Sequence, residues 1–590
     1  MTRLFNTPAD FADEMIEGFV AANRNQVRRV QGGVVRSTRS TPGTVAVVIG
    51  GGSGHYPAFG GIVGQGLASG AAMGNLFASP SSDQVHSVGT AAHNGGGVLL
   101  SYGNYAGDVL NFNQAQARLN AEGIETRTVV VTDDTSSASI EEKAKRRGIA
   151  GDLTVFKAAA AAAEAGYSLA DVERVAILAN ERTRSFGVAF SGCTLPGADA
   201  PLFTVPEGRM AVGLGIHGEP GIGETDVPTA DELAELFVST LLKELPDGID
   251  SVAGNRVGLI LNGLGSVKYE ELFVVYRRVA TLLEDAGLTI IDPEVGELVT
   301  SFDMAGASLT LFWLDDELET FWRAPADTPA YRKGSVNPAD QLDESEFHDE
   351  VVGAAAVVPG SYESQASAAI VSEALDALVA VIDENADELG RIDAVAGDGD
   401  HGIGMQRGSH AAQVAAHTAR DSGAGAQTLL YRAGDAWADR AGGTSGALWG
   451  VALRAIGDAL GDTTSPTVAD VAAGATGATD GIKTFGAIVG DKTMVDALVP
   501  FSETLAAQAE AGVPLATAWK TAADAASAAA AATADLLPKM GRARPHAEKS
   551  LGTPDAGAYS FGLIVQAIAG VLAAHDPNAP AAPAAENGDN

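Results

Sequence analysis

The 590-residue chain has a single cysteine, Cys193, so it can form neither an internal disulfide nor a cysteine-rich zinc site. Basic residues are also scarce: 38 Lys and Arg stand against 75 Asp and Glu, a formal net charge of −37. Such a surface repels nucleic acid and anionic membranes. No run approaches the about 18 uninterrupted apolar residues of a membrane-spanning helix, and the acidic N-terminus lacks the apolar core of a signal peptide. These absences predict a cytoplasmic protein that binds neither nucleic acid nor membrane.

Hydrophobic residues make up 46% of the chain and charged residues only 19%, which is enough to bury a large interior. Between residues 45 and 314, short β-branched runs alternate with amphipathic stretches and glycine turns, which is typical of βαβ units around a buried sheet. We predict buried strands at 45–49, 129–131, 175–178, 257–261 and 309–314. Thr229 and Glu232 form a capping-box pattern that predicts the start of a helix.

The alternation of apolar runs and amphipathic stretches ends in a stretch rich in Pro, Gly, Ser and acidic residues. Alanine-dense segments with helical periodicity follow this stretch. We therefore predict an α/β domain over 1–332, a linker over 333–362, an all-α domain over 363–573 and an unstructured tail over 574–590. The clearest helical segments of the second domain are 367–387 and 516–537.

Four glycines, Gly50, Gly51, Gly52 and Gly54, directly follow the first predicted strand and precede His55. Glycine allows the backbone to approach a ligand closely. A dinucleotide site is a weak interpretation, because the G-x-G-x-x-G spacing is incomplete, and such a cluster also occurs without a ligand. His55 favours a binding site, because ligands of open α/β sheets lie at the carboxyl ends of the strands.

Asp108 follows another apolar strand, although an aspartate in that position is often only a helix cap. His217 lies among five glycines and a proline in GLGIHGEPGIGE, which suits a nucleophile or an acid–base group, although a structural histidine stays possible. Two histidines and an aspartate at glycine-rich sheet edges indicate chemistry on a hydroxyl or a carbonyl.

In the helical half, Asp393, Asp398 and Asp400 lie within eight residues. Carboxylates this close repel one another unless a divalent cation neutralises them, and oxygen ligands suit Mg²⁺. A calcium EF-hand is disfavoured because its twelfth position requires Glu, whereas counting from Asp393 gives Gly404. A solvated acidic turn without an ion is the alternative.

The turn 442–446 (GGTSG) could hold phosphate oxygens at the start of a helix, or simply allow close helix packing. Basic residues follow at Lys492, Arg542, Arg544 and Lys549. In so acidic a chain they could neutralise a transferring phosphoryl group, although each taken singly could equally form a surface ion pair.

Eight motifs in these two halves are similar to those of the single-chain, ATP-dependent dihydroxyacetone kinases, in the family's order. They are GGGSGH, GDVLNF, GIHGEPG, SFDMAGASLTLFWLDDEL, DGDHGIGM, GGTSGALWG, GDKTMVDAL and SLGTPDAGA. The resemblance implies a K-type α/β domain with buried sheets that binds a short ketose. It also implies an L-type all-α helical barrel that binds ATP with Mg²⁺, and a homodimer.

The resemblance also implies residue roles. The histidine matching His217 holds the ketone as a covalent hemiaminal, while those matching His55 and Asp108 assist proton transfer at the primary hydroxyl. The aspartates matching Asp393, Asp398 and Asp400 hold Mg²⁺. Implied nucleotide-binding residues are Gly443, Thr444, Ser445, Arg542 and Asp555.

The implied sugar-binding positions are Gly52, Ser53, Tyr56 and Gly103. Many family members have Glu in place of Tyr56 and Lys in place of Gly103. Loss of a long cation opens space, so the sequence slightly favours the four-carbon ketose erythrulose over dihydroxyacetone. The alternative function is a non-catalytic regulatory protein that only binds the ketose.

Overall fold

The computed structural model describes residues 4–198, 200–216, 219, 221–343, 357–395, 397, 399–540 and 549–576. The chain divides into two compact units, one of Met1–Gly353 with Gly442–Ala447 and one of Ala354–Ala441 with Leu448–Asn590. Of the predicted linker, 344–356 lie outside the described residues, as do positions 577–590 of the predicted tail.

The first unit contains a mixed six-stranded sheet among its described residues, in the order β1-β2-β4-β3-β5-β6. Strands β4, β3, β5 and β6 are parallel neighbours, so their carboxyl ends meet at one edge. The strands are β1 (Val27–Val30), β2 (Gly33–Arg36), β3 (Ala46–Ser53), β4 (Gly70–Leu76), β5 (Val98–Gly103) and β6 (Thr126–Val131). The helices around it are α1 (Phe11–Ala22), α2 (Ser82–Ala92), α3 (Ala106–Ala121), α4 (Asp152–Glu164) and α5 (Leu169–Glu181).

A second six-stranded sheet has the order β11-β10-β12-β7-β8-β9 and is largely antiparallel, with only β10 and β11 running parallel. The strands are β7 (Thr183–Ala189), β8 (Arg209–Val212), β9 (Gly223–Asp226), β10 (Arg256–Gly263), β11 (Thr289–Gly296) and β12 (Gly306–Leu314). Helices α6 (Ala230–Leu241), α7 (Tyr269–Asp285) and α8 (Asp316–Arg323) and a short hairpin of β13 (Ala326–Asp327) and β14 (Arg332–Lys333) complete this part.

Four of the five predicted strands are confirmed, as parts of β3, β6, β10 and β12. The prediction of a strand at 175–178 is wrong, because these residues belong to α5. Ser168 caps this helix, and its buried residues Leu169, Val172, Val175, Ala176 and Ala179 follow helical spacing. The capping box of Thr229 and Glu232 is confirmed at the start of α6.

Every regular element that the structure describes beyond residue 357 is a helix, which confirms the all-α prediction. Neighbouring helices lie side by side in the order α11, α10, α9, α16, α15, α14 and α13, as expected for a helical barrel. The helices are α9 (Tyr362–Asp393), α10 (His401–Asp421), α11 (Ala426–Ala441), α12 (Gly443–Leu460), α13 (Val468–Lys483), α14 (Val495–Glu510), α15 (Leu515–Ala532) and α16 (Ala556–Ala574).

Two of these helices, α9 and α16, are long and apolar enough to cross a membrane by length and composition alone. Both also supply core residues of the helical unit: Leu375 and Ile382 from α9, Ile564 and Val565 from α16. Buried helices of globular proteins pass the same length test, so this feature is weak evidence for a membrane span.

Candidate active site

A small pocket lies at the edge where the parallel strands β3 and β5 end. Its walls are the backbone of glycines 50–52, Gly103 and the side chains of His55, Phe59, Tyr105, Asp108, Asp152 and Ile216. About 240 Å³ of empty space lies between these walls, and this volume includes space open to solvent. The pocket therefore suits a ligand of only a few heavy atoms.

The glycines at the carboxyl end of β3 form one wall because no side chain fits there. A Cβ atom on Gly51 would lie 2.4 Å from Cε2 of Phe59, and one on Gly52 would lie 2.7 Å from the backbone nitrogen of Ala78. This wall consequently presents backbone groups to a ligand at close range.

His55 follows β3 and is almost completely buried, with 1% of its surface exposed. Its Nδ1 lies 2.7 Å from the carbonyl oxygen of Thr300, and the ring stacks on Phe77 with centroids 4.9 Å apart. A carbonyl oxygen only accepts, so Nδ1 donates and the neutral ring carries its lone pair on Nε2. Because the ring is fixed in this tautomer, Nε2 can take up a proton.

Asp108 lies in the first turn of α3 and is buried at the pocket wall. The N-cap position of α3 is Tyr105, so Asp108 is not the N-cap residue. The partly positive N-terminus of the helix favours a negative charge at this position. His55 and Asp108 thus line one pocket from two adjacent strand–helix connections.

Another wall is the end of the segment between β6 and α4, which long-range hydrogen bonds hold in place. Asp133 accepts bonds from the backbone N–H groups of Ile149 and Gly151, at 2.9 and 2.8 Å. Burial raises the pKa of Asp133 to about 6, although these hydrogen bonds oppose the shift. Tyr105 donates its hydroxyl to the Gly148 carbonyl at 2.9 Å. The turn ends at Asp152, a pocket residue that the sequence analysis missed.

The remaining predicted sugar-binding positions differ in placement. Gly52 and Gly103 line the pocket. The hydroxyl of Ser53 donates to the Gly74 carbonyl at 2.7 Å, and Tyr56 is half exposed and packs edge-on against Phe19, so neither side chain is part of the pocket lining. His217 lies outside the described residues; Ile216, the residue before it in the chain, lines the pocket.

In the helical unit, Asp393 and Asp400 flank the turn between α9 and α10, and Asp555 caps α16 by accepting from the N–H of Ala558 at 2.7 Å. Burial, followed by the negative charge of Asp393, raises the pKa of both Asp400 and Asp555 to about 7. Asp398 lies outside the described residues. Within the described chain no group of three His, Cys, Asp or Glu side chains is placed to hold a metal ion.

These aspartates nevertheless fit a divalent cation chemically. The negative charge of Asp393 opposes the ionisation of both Asp400 and Asp555, and a cation would remove that repulsion. Carboxylate oxygens are the ligands that Mg²⁺ prefers. Asp398, the third residue of the predicted set, lies between Asp393 and Asp400 in the sequence.

The predicted phosphate-binding turn coincides with the N-terminus of α12, which begins at Gly443. Gly442 and Gly443 have φ angles of +61° and +59°, a region that favours glycine. Thr444 and Ser445 therefore lie in the first helical turn, where the helix dipole attracts anions. Arg542 and Arg544 lie outside the described residues.

Lys492 lies inside the helical unit and not on its surface. Its side chain is buried, and Nζ donates to the carbonyls of Leu536 and Ser550 at 3.1 and 2.7 Å. Burial lowers the pKa of Lys492. The alternative of a surface ion pair is therefore wrong for this lysine, which connects two loops of the helical unit, and its role at a phosphoryl group stays a prediction.

Residues 17–330 match the Dak1 domain and residues 395–570 match the DAK2 domain. The chain is 64% identical to an L-erythrulose kinase of Pectobacterium atrosepticum, over 97% of each chain. It is 55% identical to a D-erythrulose kinase of Mycolicibacterium smegmatis, over 96% of this chain and 98% of that one. It also resembles the crystal structure of a dihydroxyacetone kinase of C. freundii in complex with AMP-PNP and Mg²⁺, with 30% identity and a TM-score of 0.51, covering 96% of this chain and 99% of that one.

Proposed function

We propose that this chain, which belongs to the dihydroxyacetone kinase family through its Dak1 and DAK2 domains, transfers the terminal phosphoryl group of ATP to the primary hydroxyl of a short-chain ketose. The observation that carries the proposal is the small pocket in which His55 and Asp108 meet a glycine wall. Its size suits a three- or four-carbon sugar, and its acid–base groups suit a hydroxyl acceptor.

The ketose is held covalently by His217. An imidazole nitrogen forms a bond to the carbonyl carbon, the C=O π bond opens, and the carbonyl oxygen takes up the proton that the ring loses. The product is a neutral hemiaminal in which every ketose atom is retained. This bond orients a ligand that offers few groups to grip, and Ile216, next to His217 in the chain, already lines the pocket.

His55 and Asp108 act at the primary hydroxyl that accepts the phosphoryl group. The hydrogen bond from Nδ1 to the Thr300 carbonyl keeps the lone pair of His55 on Nε2, where it can receive the hydroxyl proton. Asp108, near the N-terminus of α3, stabilises the positive charge that the ring then acquires. Phosphoryl transfer needs mainly such positioning and neutralisation of charge.

Asp393, Asp398 and Asp400 hold Mg²⁺ for the nucleotide. When bound, the metal neutralises charge on the phosphates of ATP and on the transferring group. Gly443, Thr444 and Ser445 bind phosphate oxygens through the N-terminus of α12, and Arg542 and Asp555 lie along the nucleotide. The raised pKa values of Asp400 and Asp555 support this role, because they indicate negative charge in need of a cation.

The ketose is erythrulose in preference to dihydroxyacetone. Gly103 lines the pocket without a side chain, and a Cβ there would already lie 3.3 Å from both Cα and the carbonyl oxygen of Gly148. A long side chain at this position would fill the space that the fourth carbon of a tetrulose requires. The two named erythrulose kinases among the relatives support the same substrate.

A coupled assay of ADP release tests the proposal with D-erythrulose, L-erythrulose and dihydroxyacetone, with and without EDTA. We expect Mg²⁺-dependent turnover on at least one ketose and none on glycerol, which has no carbonyl for His217. Absence of turnover on all three ketoses, in protein that binds Mg·ATP, would contradict the proposal.

Two variants separate the kinase from the regulatory alternative. Asp398→Ala should abolish turnover and leave ketose binding intact. In intact-protein mass spectrometry, His217→Ala should lose the adduct, which has the full mass of one ketose. Ketose capture by wild-type protein without ADP release would instead support the regulatory function.

We further infer that the enzyme works as a cytoplasmic homodimer. The single cysteine suits a reducing compartment, and the family resemblance supports the dimer. Light scattering coupled to size exclusion measures the mass directly, and a monomer at micromolar concentration would contradict the inference.

A further inference from the structure

Asp152, the first residue of α4, is the least explained polar group of the sugar pocket. It lines the pocket, only 1% of its surface is exposed, and its Oδ1 has no hydrogen-bond partner among the described residues. A buried polar atom without a partner is costly, and most such atoms in native proteins have one. An unpaired oxygen at the wall of a ligand pocket therefore points to a partner that the ligand supplies.

The position of Asp152 is fixed by its surroundings. Asp133 binds the N–H of Gly151, directly before it, and Tyr105 holds the Gly148 carbonyl. Asn104 donates to the Arg146 carbonyl at 2.7 Å in the same turn. These bonds tie the turn to the end of β5, so the carboxyl group meets a ligand in a defined place.

The free oxygen lies next to the point where Gly103 and Gly148 pack together. A Cβ built on Gly148 would be 2.7 Å from Oδ1 of Asp152 and 2.4 Å from Cα of Gly103. The two glycines and the carboxyl group are therefore contiguous. Gly103 and Asp152 both line the pocket, so the wall beside Gly103 includes an oxygen that can receive an additional hydroxyl.

The charges nearby favour a neutral carboxyl group. Burial, followed by the negative charges of Asp133 and Asp108, raises the pKa of Asp152 well above its usual value. A protonated carboxyl group both donates and accepts hydrogen bonds, which matches the two capacities of a hydroxyl.

We propose that Asp152 determines substrate specificity, by hydrogen-bonding the hydroxyl that a four-carbon ketose has and dihydroxyacetone lacks. This inference rests on the proposed kinase function. The buried Asp152 oxygen forms a hydrogen bond when the four-carbon ketose is bound and stays without one when dihydroxyacetone is bound. A site that holds such an oxygen discriminates against the ligand that lacks the matching hydroxyl. Because this hydroxyl is on the stereocentre or next to it, Asp152 also distinguishes the enantiomers.

The test compares kcat/KM for D-erythrulose, L-erythrulose and dihydroxyacetone in wild type, Asp152→Ala and Asp152→Asn. In Asp152→Ala we expect the ratio of the preferred erythrulose to dihydroxyacetone to fall by about 5- to 100-fold, mainly through KM, and the enantiomer ratio to approach one. The loss of activity on dihydroxyacetone should be smaller than the loss on the preferred erythrulose. Asp152→Asn retains a donor and an acceptor and should keep most of the ratio.

Asp231→Ala is the matched control. Asp231 is also an acidic first-turn residue, of α6, but its side chain is half exposed and is not part of the pocket lining. Its substrate ratio should equal that of wild type. If Asp152→Ala does not fold, Asp152→Val replaces it, since valine keeps the volume and lacks polar atoms.

The inference is overturned if folded Asp152→Ala or Asp152→Val keeps the wild-type ratio of kcat/KM for the preferred erythrulose to kcat/KM for dihydroxyacetone. It is also overturned if kcat/KM falls equally on all three ketoses, because an equal fall shows a structural role. These outcomes leave the kinase function intact. A wild-type enzyme without turnover on any ketose overturns the kinase function and, with it, the role of Asp152.

Discussion

Replacing Glu244 by glutamine should destabilise the part of the fold that supports the pocket. Glu244 accepts two bonds from Arg146, at 2.6 and 2.8 Å, and one from Arg184 at 2.7 Å. Only 2%, 5% and 17% of the Arg146, Arg184 and Glu244 side chains are exposed. The substitution leaves two buried guanidinium groups without a counter-charge, which typically costs about 3–5 kcal/mol.

Native-state hydrogen exchange measures this loss where it occurs. Arg146 belongs to the turn that Asn104 holds at the end of β5. The amides of β5 and β6 that exchange by unfolding of this region should therefore exchange about 100- to 5,000-fold faster in Glu244→Gln at pH 7. The control is Glu235→Gln, which removes a more exposed ion pair with Arg278 and should change exchange by less than about tenfold.

The pH dependence has a defined sign. Burial raises the pKa of Glu244, but hydrogen bonds from Arg146 and the charges of both arginines outweigh it, so the net shift is downward. The contribution of Glu244 is therefore fully present above the unfolded pKa of about 4.3 and is lost as pH falls through the lower folded pKa. Equal exchange in Glu244→Gln and Glu235→Gln at pH 7 would refute this reasoning.

Three further substitutions have defined outcomes. Gly52→Ala places a Cβ 2.7 Å from the backbone nitrogen of Ala78 and should lower kcat/KM at least about tenfold. Its control is Gly18→Ala at an exposed position of α1, where an added Cβ has no atom within 4 Å and should raise thermal stability slightly. Thr229→Ala removes the cap of α6 and should cost about 0.5–2 kcal/mol in urea unfolding, with activity unchanged. Asp133→Asn should cost about 1–3 kcal/mol, because an amide cannot accept from both N–H groups it faces. Since the pKa of Asp133 is raised to about 6, wild-type stability relative to this variant should fall as pH rises from about 3.9 to 6, and a rising or flat difference would contradict the assignment.

The sequence was most informative where glycines and a titratable residue follow a buried strand. His55 and Asp108 could be placed together from sequence, because the carboxyl ends of parallel strands meet at one edge. The aspartates around Asp400 were readable for a similar reason: acidic residues only a few positions apart on one turn must interact.

Other features depend on packing between distant segments. Asp152 was missed because no local pattern distinguishes it from any acidic first-turn residue; its role depends on Gly103 and Asp133, which come from different strand ends. The burial of Lys492 could not be predicted from the sequence either, because its hydrogen-bond partners are carbonyls more than 40 positions away. The strand predicted at 175–178 failed because a short apolar run is equally compatible with a buried helix.

The backbone wall of glycines 50–52 restricts how this pocket can evolve. At Gly50 an added Cβ would lie 2.5 Å from the Ala72 carbonyl oxygen, and the two following positions are as crowded. Substitution there damages the sheet before it reshapes the cavity. A lineage that changes its preferred sugar must therefore replace side chains elsewhere in the lining, such as that of Asp152, because these glycines have no room for one.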